Sequence, residues 1–282
     1  MSHKPAIAIS SLFLAALAIA SSCARAQDDM VVTYGAGGAM NSTLSGTSVE
    51  DFAGMAPGVY NNVNWAGVAS IDRVSLVPND QYGGIPTTGA YPVESISASR
   101  GSIDQTTITL NHSSSYFGLE WSAADAPNSI SFYNSQGSLV AALNTATIFK
   151  QIPAGWPSPY EGNPNPAFLG GDYGEQFAFL NFIGAQGTTW DKIVLSNNNN
   201  GSGFETDNWT SRIHGWNPVV DGALPGTPVV QVLNGAVTQI TKLPSSFVPS
   251  APGAPAPPMT ACLAFAGVLV LQALRNRGRR EA

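Results

Sequence analysis

The stretch Tyr116-Phe117-Gly118-Leu119-Glu120-Trp121, followed by Ser129-Ile130-Ser131-Phe132-Tyr133, decides the fold class. Side chains alternate across a strand, so Phe117, Leu119 and Trp121 share one face, and Ile130 and Phe132 share another. The opposite phase points Glu120 toward solvent. Asn134-Ser135-Gln136-Gly137 reads as a turn, and residues 138–143 return from it, which predicts a hairpin.

Working outward, the same strand signal recurs at residues 106–110, 190–195 and 204–209. Residues 177–182 (Phe-Ala-Phe-Leu-Asn-Phe) are apolar in both phases, which predicts a central strand buried on both faces. Residues 229–241, broken at Asn234-Gly235, predict a terminal hairpin. The Asn/Gly-rich run 196–203 is expected on the surface. Residues 151–174, rich in Pro, Gly and aromatics, read as a long ordered loop. Between the two ends no segment holds an apolar 3.6-residue period for three turns. Many short strands at this spacing predict an all-β domain, a jelly-roll-like two-sheet β-sandwich.

Composition agrees. Charged residues make up 11% of the 282-residue chain, and 29 Gly and 20 Pro stand among abundant Ser, Thr and Asn. About 25% charged is usual for a soluble domain, so the polarity here comes from turn formers. Residues 27–258 hold seventeen acidic and six basic side chains, a net of −11. With so few scattered bases, phosphate neutralisation is poor, and nucleic acid is excluded as a partner. The two cysteines, Cys23 and Cys262, lie in the terminal apolar segments. The β domain must therefore hold together by burial, without disulfides or cysteine metal sites.

Both ends read as addresses. Residues 1–26 form a signal peptide and its helix: Lys4, an apolar run over 6–20, and the small-x-small site Ala24-Arg25-Ala26, with signal peptidase cutting after Ala26. A rival reading is lipoprotein processing at Cys23, although the preceding residues lack the usual Leu. The domain proper is 27–247. A Pro-rich linker (248–258) follows it, then an apolar helix (259–274) and a basic tail (275–282) with Arg275, Arg277, Arg279 and Arg280. Sixteen helical residues span about 24 Å, workable in a slightly thinned bilayer. The arginines would stay cytoplasmic and leave the domain outside.

This tail resembles the PEP-CTERM sorting signal recognised by exosortases, through Pro255-Ala256-Pro257, the apolar helix and the Arg cluster. It departs from the family's Pro-Glu-Pro at Ala256. The blocks at 116–122, 128–133, 177–182, 190–195 and 204–209 are similar to a family of exosortase-dependent surface proteins, over roughly residues 50–210. The resemblance implies an extracellular β domain and an exosortase-like transpeptidase acting near Pro255, Ala256 and Pro257. It also implies transient membrane anchoring by the C-terminal helix, and a cell-surface or extracellular location. It implies no catalytic residues.

Candidate chemistry within the domain is sparse. His112 and His214 are too few and too distant for a zinc site, and no Gly-x-Ser-x-Gly marks a nucleophile. Glu120 with Asp125, or Glu205 with Asp207, are the carboxylate pairs a glycoside-acting enzyme would need. Glu50, Asp51, Asp207 and Asn208 would supply oxygen ligands to a structural calcium ion if early and late strands pair. Trp156, Tyr160 and Trp209 are the loop-borne rings that a carbohydrate site would use, with Tyr173 and Trp216 nearby. The expected function is a non-catalytic structural or adhesive role at the cell surface or in the matrix. The alternatives are a module binding extracellular polysaccharide and, more weakly, a glycoside-acting enzyme.

Overall fold

A computed structural model describes residues 29–249, apart from 79–83, 85–88, 156, 164–173, 186 and 200. The described chain is all-β. Fourteen strands run in order: β1 (Asp29–Tyr34), β2 (Ser48–Glu50), β3 (Gly58–Trp65), β4 (Ala69–Val77), β5 (Tyr91–Glu94), β6 (Gln105–Ser114), β7 (Tyr116–Trp121), β8 (Ser129–Tyr133), β9 (Leu139–Asn144), β10 (Ala178–Gly184), β11 (Trp190–Ser196), β12 (Phe204–Arg212), β13 (Thr227–Leu233) and β14 (Ala236–Gln239). Helix is limited to α1 (Thr145–Ile148), α2 (Pro218–Asp221) and two 3₁₀ turns. Among the described residues, no helix is long and apolar enough to cross a membrane.

The strands form one strongly curled antiparallel sheet, a half-barrel with the order β14-β13-β1-β10-β7-β12-β5-β4-β6-β11-β8-β9. β2 adds to β12, and β3 adds to β4. Two separate sheets were expected. Instead the hydrogen-bonded path is continuous, because β12 pairs with β5 through Phe204↔Glu94 and Glu205↔Val93. Curling keeps one inner face, and the core fills it. Phe117 of β7 and Phe182 of β10 meet Phe132 of β8, the latter at 5.0 Å between ring centres. Trp121 lies 4.3 Å from Phe204 and 5.7 Å from Phe149. Each such ring pair adds about 0.5–1.5 kcal/mol beyond the area it buries.

Local readings hold where the signal was local. The hairpin of β8 and β9 forms as expected, with Asn134 Oδ1 accepting from the backbone N–H groups of Gln136 and Ser138. β13 and β14 meet through Asn234 (φ 49°) and Gly235 (φ 78°), both left-handed as a tight hairpin turn requires. β10 lies between β1 and β7, with all seven residues buried.

The outer face around β7 and β10 is covered as well. A second apolar cluster, built on Val31, Leu44, Tyr116, Ile183, Trp216 and Phe247, lies there. The Tyr116 hydroxyl bridges Ser42 Oγ and Asn181 Oδ1 at 2.7 Å each. Gly118 is needed at this place, since a Cβ there would stand 3.0 Å from the Phe179 ring.

Two expectations about exposure are overturned. Glu120, assigned to solvent by alternation, is fully buried. The 196–203 run is not wholly superficial. Asn197 is fully buried, donating from Nδ2 to Asn128 Oδ1 at 2.6 Å, while its Oδ1 accepts from Asn199 N–H. Its amide satisfies polar groups that an apolar side chain would orphan.

Candidate functional site

The most chemically loaded part of the described surface is an acidic cleft beside β12. Its floor is set by register. Asp207 of β12 stands directly opposite Glu120 of β7, so both side chains leave the same outer face of the sheet. On the other side of β7, Glu120 faces Phe179 of β10. One flank of Glu120 is therefore an aromatic ring, and the other is an acid.

β2 brings the remaining residues. It pairs with β12 through Glu50↔Trp209 and Val49↔Thr210. The chain then turns at Phe52, whose φ of 50° is left-handed. This sends the Phe52 ring inward, edge-on to Trp209 with centres 5.0 Å apart. Asp51 stays outward, its Oδ1 accepting from Ala53 N–H at 3.1 Å. On β12 the ladder shifts register between Asp207 and Thr210, and Asn208 there also has a φ of 50°. This bulge turns the Asn208 amide toward the 36–47 segment, where Nδ2 donates to the Met40 carbonyl at 2.7 Å.

These elements border a half-open cleft of about 400 Å³ lined by Met40, Asn41, Val49, Asp51, Ala53, Gly89, Asp207 and Asn208. Early and late strands do pair, and the structure brings Glu50, Asp51, Asp207 and Asn208 together at one place. Glu50 is turned aside, its Oε1 accepting from Phe52 N–H. Among the described residues, no group of three or more His, Cys, Asp or Glu side chains is disposed to hold a metal ion.

The electrostatics are those of crowded, desolvated acids. Burial, opposed by the Asn208 N–H and reinforced by Asp51 and Glu50, raises Asp207 to about 7. Burial, with Asp207 adding to it, holds Glu120 well above the usual carboxylate range. Neither Glu120 carboxyl oxygen has a hydrogen-bond partner. Further along β12, burial and then the Asp125 carboxylate raise Glu205 to about 8.

The carboxylate pairs therefore differ from the sequence reading. Glu205 is buried rather than on a polar face, and its electrostatic neighbour is Asp125. Glu120 couples to Asp207 rather than to Asp125.

No protein-family model, no curated protein and no solved structure matches this chain.

The aromatic platform does not assemble from the described rings. Trp209 is fully buried, and its Nε1 donates to Thr206 Oγ1 at 2.9 Å, so its face is not open to a sugar. Trp216 is also buried. Tyr160 is half-buried, edge-on to Tyr34, with its hydroxyl donating to the Gly35 carbonyl. Trp156 and Tyr173 lie outside the described residues, as do the processing positions Ala26, Pro255, Ala256 and Pro257. Sequence reasoning missed that Glu120 is buried opposite Asp207, behind the cleft. A lone acid in an otherwise apolar strand was the available signal.

Proposed function

We propose that this chain is an exported, exosortase-processed cell-surface or extracellular-matrix protein with a non-catalytic structural or adhesive role. The observation that carries the reading is the order of its parts. A signal peptide precedes one β domain, and a Pro-rich linker, an apolar segment and an Arg cluster follow it. Signal peptidase acts after Ala26. The apolar segment holds the chain in the membrane, with the arginines inside. An exosortase-like transpeptidase then cuts near Pro255-Ala256-Pro257. The β domain suits this role because its own strands enclose a core, with both cysteines of the chain lying outside it. We read its curled sheet as a jelly-roll-like sandwich, a reading supported by the ring contacts between β7, β10 and β8 across the inner face.

Intact mass of the protein from its native host, measured fraction by fraction, tests the reading. A species spanning Gln27 to about residue 255–258, found outside the inner membrane, is expected. A mature species in the membrane that still carries Arg275–Arg280 would make this a simple anchored protein.

A further inference from the structure

We propose that the cleft beside β12 binds one calcium ion, with Asp207 and Asp51 as its charged ligands and Glu120 as the carboxyl behind them. The inference is independent of the sorting reading.

Two observations carry it. First, the cavity of about 400 Å³ is bordered by oxygen-bearing side chains, Asp51, Asp207, Asn208 and Asn41, with no histidine or cysteine. Such a donor set suits a hard cation. Second, Glu120 is fully buried, both its oxygens lack any partner, and register places it beside Asp207 on the same face. A buried polar group without a partner calls for a ligand, because its desolvation is otherwise uncompensated. A cation at Asp207 supplies the opposite charge that both carboxyls lack.

The site would not be a ready-made cage of three carboxylates. The ion would be held by Asp207 and Asp51, with the Asn208 amide oxygen and water completing its shell. Calcium tolerates irregular coordination of six to eight oxygens, whereas magnesium demands a tight octahedron. The open, uneven cleft therefore favours calcium.

The test is calorimetric titration of the purified full chain in detergent with calcium chloride, and separately with magnesium chloride, alongside thermal unfolding. We expect one calcium site, a rise in Tm at saturating calcium, and magnesium binding at least about 10-fold weaker. Asp207→Asn and Glu120→Gln should each weaken calcium binding by about 10-fold or more, while Asp104→Asn, on the exposed Asp104–Arg73 pair, leaves it unchanged. Near-ultraviolet circular dichroism reports whether each variant is folded. No heat and no Tm shift with the wild-type chain at millimolar calcium would overturn the proposal. So would wild-type affinity in folded Asp207→Asn, or equal affinity for magnesium.

Discussion

Gln151 and Gln239 tie the two ends of the sheet together: Gln151 Nε2 donates to Gln239 Oε1 at 2.8 Å. Gln239 closes β14, one end of the strand order. Gln151 follows β9, the other end, through α1 and a 3₁₀ turn. Gln239 Nε2 also donates to the Thr147 carbonyl in α1. The Gln151–Gln239 pair thus bridges the half-barrel where no strand ladder closes it.

Gln239→Leu should remove both bonds and leave the Gln151 amide without its acceptor. A loss of about 1–3 kcal/mol is expected, the usual cost of orphaning part-buried polar groups. Urea unfolding measures it. Gln151→Leu removes one bond and should cost less than Gln239→Leu.

Glu94 gives the domain a pH dependence of definite sign. It is fully buried near the Thr106 hydroxyl, and burial, with Asp72 adding a little, raises it from 4.5 to about 8. Below 4.5 it is protonated whether the chain is folded or not, and its ionisation adds no cost. From pH 4.5 to 8 only the unfolded chain ionises, so stability falls as pH rises, on the order of 1 kcal/mol per pH unit. Urea midpoints at pH 5, 6 and 7 should decline in that order. Glu94→Gln should remove its own share of the decline and be more stable than wild type at pH 7, while the raised carboxyls of Glu120, Glu205 and Asp207 keep a remaining slope of the same sign.

Trp209 distinguishes a core ring from a sugar platform. Trp209→Ala should destabilise by about 3–5 kcal/mol, as for other large core truncations. Trp209→Phe should lose less, because a ring still meets Phe52 and only the bond to Thr206 goes. Thermal unfolding reads both. A cost under about 0.5 kcal/mol for the alanine variant would mean that the ring is at the surface.

Asn197 is the anchor of the Asn/Gly-rich run. Asn197→Ala should cost about 1–3 kcal/mol, by removing the acceptor of Asn199 N–H and the donor to Asn128. Amide exchange at Asn199 should accelerate in the variant, while exchange in β10 should not.

The sequence by itself determined the strands from β6 to β14, the two hairpins and the central position of β10, but β1 to β5 were not read from it. Alternation and turn residues such as Asn234-Gly235 act within a few residues of one another, so a linear reading captures them. It also located the acids. Alternation divides Phe117, Leu119 and Trp121 from Glu120, but it does not say whether the second face is wet. Only tertiary structure decided that, by laying a second apolar cluster over the outer face and burying Trp216 within it. The cleft has the same origin. Asp207 meets Glu120, and β2 reaches β12, through hydrogen-bond registers that join residues far apart in the chain. Register depends on where whole strands settle against one another, and no local pattern around Glu120 or Asp207 encodes it.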